Sequence, residues 1–228
     1  MPIAQNLKIV LDRIAAAAKR AGRDPSSVKL VVVTKTVSIE RIREAVEAGA
    51  VILGENRVQE AKDKIEHQGL RAQWHLIGRL QTNKAKYAVK LFDLIHSVDS
   101  IALAQEIDKQ AAKINKKQNV LIEVNLAGEA QKAGVNANDA VALVREAGKL
   151  QHLLIRGLMT VPPFLDDAEQ VRPYFKKLRE LSKRIAEDHL PNVSMQDLSM
   201  GMSGDFEVAI EEGATFVRVG TAIFGERT

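Results

Sequence analysis

Cysteine is absent from this chain of 228 residues, which excludes a disulfide framework and thiolate metal sites. Aromatic residues make up only 4%, so the stacking platforms that bind single-stranded nucleic acid are scarce. No apolar run approaches the roughly 20 residues that span a bilayer, and the N-terminus does not show the basic and apolar regions of a secretory signal. We therefore expect a cytoplasmic protein that binds neither nucleic acid nor membrane.

Charge of one sign is also scarce, since 33 basic and 29 acidic residues leave a formal net charge of +4. The densest basic cluster is Arg79, Lys84, Lys86 and Lys90, which we interpret as an anion site for a small ligand. The five histidines lie on separate predicted elements without the spacing of metal ligands, so we expect no metal site. His75 and His96 could face a functional site at the ends of their strands, although a hydrogen-bonded core histidine is the commoner case. A hydrophobic content of 46% and a charged content of 27% are ordinary for a globular protein.

The apolar pattern predicts an N-terminal helix over about 3–22 and then eight short strands that alternate with helix-like segments. The predicted strands are 30–34, 51–54, 74–78, 94–98, 120–126, 155–161, 195–200 and 216–220. Each strand but the last is followed by a helix-like segment. This alternation favours an α/β fold, a (β/α)₈ TIM barrel with an extra N-terminal helix, as one domain over 1–228. A doubly wound open sheet is the alternative, but no Gly-x-Gly-x-x-Gly follows the first strand.

Lys35 follows the β-branched run 30–34, which is typical of a buried parallel strand. A lysine at the end of such a strand either reaches to water or acts as a neutral amine, because desolvating an ammonium is expensive. Burial lowers a lysine pKa, and a neutral amine can form a Schiff base with an aldehyde. Position alone leaves both interpretations open.

The loops after the last two predicted strands have the composition of a phosphate cradle. In (β/α)₈ barrels these loops often bind phosphate at a helix start. Gly201, Ser203 and Gly204 precede a predicted helix over 206–212, and Gly220-Thr221 follows the last strand. The alternative is that the glycines are turn residues and Ser203 is a helix cap. Two such loops at the expected positions favour the ligand.

Arg218 lies within the last apolar strand and needs an acceptor if it points inward, although it could also face the surface. A lysine amine, a phosphate cradle and an arginine at one barrel mouth are suited to pyridoxal phosphate. Lys35 would meet its aldehyde, Ser203, Gly220 and Thr221 its phosphate, and Arg218 its pyridine nitrogen.

Seven ordered segments carry a resemblance to a known family over nearly the full length. They are 33–36, 54–60, 74–84, 96–99, 157–160, 198–206 and 217–225. The chain resembles the pyridoxal phosphate homeostasis proteins, whose barrel is similar to the N-terminal domain of alanine racemase, a pyridoxal phosphate protein of fold type III. The resemblance implies a role in vitamin B6 homeostasis.

The resemblance also implies the roles of individual residues. Lys35 would carry pyridoxal 5′-phosphate as an internal aldimine, and Asn56 would line its ring. The implied cofactor-binding set is Lys35, Asn56, Ser199, Ser203, Arg218, Gly220 and Thr221. One departure is Val37, which stands where many bacterial members have a second lysine.

Two functions from different classes are compatible with such a site, an amino-acid racemase and a non-catalytic carrier. A two-base racemase needs a second acid/base on the opposite face of the cofactor, and in alanine racemase a tyrosine of an added domain supplies it. This sequence continues only a few residues beyond the last strand, and Tyr87 and Tyr174 lie on predicted helices. We therefore expect a monomeric, non-catalytic carrier or buffer of pyridoxal phosphate, with apo-enzymes as candidate recipients.

Overall fold

A computed structural model describes residues 2–129 and 131–226. The helices are α1 (Ile3–Arg20), α2 (Ile39–Glu47), α3 (Val58–Gln68), α4 (Ala85–Leu91), α5 (Ile101–Ala112), α6 (Ala137–Ala147), α7 (Ala168–Ala186), α8 (Phe206–Glu211) and α9 (Thr221–Phe224). The strands are β1 (Lys29–Val33), β2 (Ile52–Glu55), β3 (Gln73–Leu76), β4 (Leu94–Val98), β5 (Gln118–Asn125), β6 (Val135–Asn136), β7 (Leu153–Met159), β8 (Val193–Ser199) and β9 (Phe216–Val219). Short 3₁₀ turns at Pro25–Ser27 and Thr82–Lys84 complete the described elements.

Eight of these strands form a closed parallel barrel. They pair in the order β4-β3-β2-β1-β9-β8-β7-β5, and a further pairing of β4 with β5 closes the ring. The remaining strand, β6, has two residues and pairs only with β5 among the described elements. The predicted (β/α)₈ barrel is thus confirmed, and each predicted strand lies within two residues of an observed one. The closing pair excludes the open-sheet alternative.

The helix predictions differ from the structure at both ends of the chain. The N-terminal helix ends at Arg20, because Gly22 adopts a left-handed conformation with φ of 66° that stops the helix. The last strand is followed by α9, contrary to the prediction that no helix-like segment comes after it. A helix of four residues is too short to show a 3.6-residue period in the sequence.

The larger core lies between the barrel and the surrounding helices. The amphipathic α1 contributes its apolar face to this layer and contacts α8 and α9. A helix with one apolar stripe buries it against the fold in this way. Within the described residues, no helix combines the length and hydropathy needed to cross a bilayer.

A second and smaller apolar cluster fills the inside of the barrel. Its buried members are Val31, Ile52, Leu94, Leu121, Met159 and Phe216. Side chains two residues apart on a strand share a face. Two residues beyond three of these positions, the strands therefore direct His96, Glu123 and Arg218 to the inside as well, and all three are buried. The barrel interior changes from apolar to polar toward the carboxyl ends of its strands.

Candidate cofactor site at the barrel mouth

A cavity of about 480 Å³ opens at the carboxyl ends of the barrel strands. This is the end at which (β/α)₈ barrels carry their functional groups. Six of the seven predicted site residues line it, namely Lys35, Asn56, Ser203, Arg218, Gly220 and Thr221. The structure therefore brings together residues that lie up to about 186 positions apart in the sequence. The seventh, Ser199, lies deeper and is not among the lining residues.

One end of the cavity is formed by the two loops that the sequence predicts as a phosphate cradle. Ser203 lies in the loop between β8 and α8, and its Oγ accepts a hydrogen bond of 3.4 Å from the Ala222 backbone N–H in the first turn of α9. Gly220 precedes α9 and has no side chain between its backbone and the cavity. Thr221 begins that helix and adds a hydroxyl to the lining. These three residues give this end of the cavity a polar surface of backbone and hydroxyl groups.

The two glycines of the β8–α8 loop have different roles. Gly204 lines the cavity, and an added Cβ there would meet open space. Gly201 has φ of 93°, and its Cβ would lie 2.6 Å from that of Ala209. The residue at position 201 must therefore be glycine for α8 to pack closely, which is a structural role. The sequence predicts that both glycines let the backbone approach an anion. Packing against α8 already explains Gly201, and anion approach at Gly204 stays a prediction.

Arg218 points into the barrel and not to the surface. Its Nη1 donates to Ser199 Oγ at 2.6 Å, and its Nη2 donates to the Thr160 carbonyl oxygen at 2.9 Å. Burial lowers the pKa of Arg218 to about 10, although the carboxylates of Glu123 and Asp205 oppose the shift. The guanidinium remains charged at neutral pH. It reaches the cavity with its orientation fixed by two hydrogen bonds.

Behind Arg218, a chain of hydrogen bonds crosses the barrel. Ser199 Oγ lies 2.9 Å from His96 Nδ1, and His96 Nε2 lies 3.0 Å from His75 Nδ1. We call Arg218, Ser199, His96 and His75 the axial chain. Burial, with the nearby charges of His75 and Arg218, holds the pKa of His96 well below its ordinary value. Burial and the charge of Lys29 lower the pKa of His75 to about 3, so both imidazoles are neutral.

The sequence reasoning identified the two histidines only as residues that could face the barrel mouth. It placed hydrogen-bonded core histidines ahead of ligands, and the structure agrees for His75 and His96. It did not find Glu123, whose pKa is raised to about 7 by burial and by Asp99. A carboxylate two residues after an inward-facing leucine was the available signal. Among the described residues, no group of three or more His, Asp and Glu side chains could hold a metal ion.

Lys35 lies just beyond β1, half-buried, with its side chain in the cavity lining. Within residues 2–129 and 131–226, no hydrogen bond or ion pair is formed by its Nζ. The residues on either side of it, Thr34 and Thr36, are held by hydrogen bonds with side chains of α3 and β2. Val37 is buried in the larger core.

The predicted anion cluster of basic residues is divided between two places. Arg79 and Lys84 line a separate groove of about 420 Å³, together with Arg57. Lys86 and Lys90 lie on α4 outside that lining. Anion binding by this cluster stays a prediction.

The fold and the mouth cavity together define a class of protein, a (β/α)₈ barrel whose mouth holds a lysine, an arginine and the two loops predicted as a phosphate cradle. The family model described as alanine racemase, N-terminal domain, matches residues 6–228. A pyridoxal phosphate homeostasis protein of Aquifex aeolicus is 50% identical over 228 residues, covering 100% of this chain and 99% of that protein. The chain belongs to the pyridoxal phosphate homeostasis protein family.

Solved structures show the same relationship. PipY of Synechococcus elongatus, solved with PLP bound, matches with a TM-score of 0.82 at 39% identity, over 93% of this chain and 100% of that chain. An alanine racemase of Clostridium difficile matches with a TM-score of 0.76 at 18% identity, over 98% of this chain and 57% of that chain. The second match shows the shared fold alone.

Proposed function

We propose that this protein binds pyridoxal 5′-phosphate (PLP) through Lys35 in the cytoplasm and serves PLP homeostasis as a non-catalytic carrier or buffer. The observation that carries the proposal is the mouth cavity, which holds a buried arginine, two loops suited to a phosphate, and a lysine amine that has no bonding partner among the described residues. The naming of the Aquifex aeolicus relative and the PLP bound to PipY support the choice of ligand.

The residues present fit PLP in size and in donor chemistry. A cavity of about 480 Å³ lies in the range of roughly 300–1,000 Å³ typical of small-molecule sites. Arg218 uses one N–H on each of two nitrogens within the protein, and a guanidinium has five, so three remain for a ligand. Ser203, Gly220 and Thr221 would hold the phosphate, and Asn56 would contact the ring.

When bound, PLP supplies an aldehyde that can condense with an amine. Lys35 contributes that amine with no hydrogen bond inside the described chain to compete for it. Arg218 would donate to the pyridine nitrogen and, since it stays protonated at neutral pH, would not pass a proton to that nitrogen. A ring nitrogen without a proton is a weak electron acceptor, which favours storage of the cofactor over amino-acid chemistry.

The position of the tyrosines supports the non-catalytic part of the proposal. Tyr87 lies on α4 and Tyr174 on α7, and neither lines the cavity. The titratable side chains in the lining are Lys35, Asp166, Asp205 and Arg218. The Asp205 carboxylate is engaged, because its Oδ1 accepts a hydrogen bond from the Met202 backbone N–H.

Apo-enzymes that need PLP are the recipients that we propose for a carrier.

The first experiment locates the covalent bond. The purified protein is incubated with PLP, its absorbance is recorded, and the adduct is fixed with borohydride and located by mass spectrometry. We expect one reduced adduct on Lys35 and none in Lys35→Ala. An adduct placed mainly on another lysine would contradict the assignment of Lys35.

A second experiment separates the carrier from the racemase. PLP-loaded protein is incubated with alanine or serine in deuterium oxide, and exchange of the α-proton is followed. We expect exchange far below the roughly 1–10³ per second of typical enzymes. Fast exchange of one amino acid that Lys35→Ala abolishes would favour the racemase.

A further inference from the structure

We infer that Glu55, Glu60 and Lys64 are positioning residues for Lys35. We call these three the clamp. They hold the backbone on both sides of Lys35, so that its amine is presented to the cavity while remaining unbonded. This inference rests on the proposed attachment of PLP to Lys35 and adds three residues to which that proposal gives no role.

The clamp holds the residue before Lys35 by two of its groups. Thr34 is fully buried, and its Oγ1 donates to Glu55 Oε1 at 2.5 Å. The Thr34 carbonyl oxygen accepts from Lys64 Nζ at 2.7 Å and from the Val37 backbone N–H at 3.1 Å. The end of β1 is therefore fixed to β2 by a carboxylate and to α3 by an ammonium.

The clamp also holds the residue after Lys35. The Thr36 backbone N–H donates to Glu60 Oε1 at 2.6 Å. Thr36 has φ of 57°, a left-handed conformation that a β-branched residue rarely adopts. Such conformations persist where the surroundings determine them, and they cluster at functional sites. Glu60 supplies that determination from the first turn of α3, immediately beside the residue that carries the amine.

The three clamp side chains form one network that is expensive to bury. Lys64 Nζ lies 2.7 Å from both Glu55 Oε1 and Glu60 Oε1, and the Lys64 side chain is only 11% exposed. Burial raises the pKa of Glu55 against the opposing effects of Lys64 and Thr34, and its Oε2 has no hydrogen-bond partner within the described residues. Apolar side chains of similar volume would often serve packing as well or better.

The position of the clamp indicates which function the costly burial of these charged side chains serves. None of the three residues lines the mouth cavity, so they do not contact a ligand there. Their bonds outside the network go to Thr34 and Thr36, the two neighbours of Lys35. Reactions between held groups depend steeply on their alignment, and a shift of about 1 Å can reduce a rate by roughly a hundredfold. Fixing the backbone is a way to align an amine that must itself stay free.

The test compares variants of the clamp with a matched control on the same helix. Glu60→Ala removes the acceptor for Thr36, whereas Glu60→Gln keeps an oxygen in its place. Lys64→Met is paired with Lys62→Met, because Lys62 forms an ion pair with Glu66 at 3.8 Å and its side chain is 47% exposed. Two quantities are measured, the rate of covalent attachment to Lys35 at saturating PLP and the affinity for 4′-deoxypyridoxine 5′-phosphate, which has no aldehyde.

We expect Glu60→Ala and Lys64→Met to slow attachment roughly ten- to a hundredfold while the affinity for the analogue changes less than about twofold. Glu60→Gln should restore most of the rate, and Lys62→Met should match the wild type. Unchanged attachment in Glu60→Ala would overturn the inference, as would an equal loss of analogue binding, which would indicate a general structural role. Should Lys64→Met fail to fold, the Glu60 pair decides alone, since that side chain is 27% exposed. Absence of an adduct in the wild type would instead refute the proposed function.

Discussion

The axial chain and the clamp are two buried polar networks at the same end of one barrel, and each holds one residue of the cavity, Arg218 or Lys35. The axial chain crosses the inside of the barrel and bonds directly to the guanidinium of Arg218. The clamp lies outside the barrel wall, between the strands and α3, and bonds to the backbone around Lys35. The axial chain holds the guanidinium of Arg218 itself, whereas the clamp holds only the backbone to which the Lys35 side chain is attached.

This difference follows from the chemistry of the two side chains. A guanidinium has five N–H donors, so two can anchor it while the others face a ligand. A lysine that attacks an aldehyde needs its nitrogen lone pair, and an anchoring hydrogen bond or ion pair would stabilise the charged form instead. Arg218 can thus be fixed by its own atoms, whereas Lys35 must be fixed through Thr34 and Thr36.

The networks also differ in charge. Beyond Arg218, the axial chain consists of a hydroxyl and two neutral imidazoles, because burial depresses the pKa of both histidines. The clamp, in contrast, is charged at Glu60, its most exposed member. Hydrogen bonds from Lys64 and Thr36 bring the pKa of Glu60 below its ordinary value, although burial opposes this.

Breaking the clamp should have the largest effect on stability. Lys64→Met leaves the fully buried Glu55 carboxylate without its charge partner, and removing one member of a buried pair costs roughly 3–5 kcal/mol. Lys62→Met on the same helix removes an exposed pair and should cost below about 0.5 kcal/mol. Chemical denaturation of both variants measures the free energy of unfolding, and similar values for the two would show that the clamp is no more than a surface pair.

Breaking the axial chain should have a somewhat smaller effect. His96→Leu leaves Ser199 and His75 each without one partner, at roughly 3 kcal/mol in total for the unsatisfied buried groups. His152→Leu is the control, since His152 is half-buried and only its backbone forms hydrogen bonds within the described residues: its N–H donates to Asp108, and its carbonyl oxygen accepts from the Gln118 N–H. The measurement is again denaturation, and a loss as small as that of the control would mean that the chain contributes little to folding.

Glu123 tests whether the polar inside of the barrel disfavours an ionised carboxylate. Its pKa is raised from 4.5 to about 7, so the folded protein holds this proton more tightly than the unfolded chain. The resulting stability is fully present below pH 4.5 and is lost as the pH rises through about 7. Glu123→Gln, which cannot ionise, should therefore match the wild type at pH 4 and exceed its free energy of unfolding by on the order of 3 kcal/mol above pH 7. A difference that does not change with pH would contradict a buried, protonated Glu123.

Removing the anchored guanidinium should affect the ligand more than the fold. Arg218→Ala is expected to lower the affinity for PLP by roughly 1–3 kcal/mol, since a buried hydrogen bond from a charged group is lost. The absorbance of the bound cofactor should also shift. Arg13→Ala is the control, because Arg13 forms a partly exposed ion pair with Glu207 and neither residue lines the cavity. Equal affinity in the two variants would show that Arg218 does not meet the ligand.

The sequence by itself determined the barrel and most of the candidate site. Strands of a parallel barrel are continuous apolar runs, and a residue after such a run lies at the mouth whatever the details of packing. This local rule was enough to identify Lys35, Ser203, Gly220 and Thr221. Arg218 was found for a related reason, as a charge within an apolar strand, although its direction stayed open.

Only the tertiary structure decided what supports those residues. His75 and His96 are 21 positions apart, and Thr36 and Glu60 are 24 apart, so their hydrogen bonds depend on strand register and on the placement of α3 against the barrel. The same dependence put Ser199 behind Arg218 and not in the cavity lining. Hydrophobic periodicity shows which face of an element is buried, but it carries no information about which neighbour that face meets. The site residues could be located from their own strands, whereas the networks that hold them required the strands and helices to be assembled.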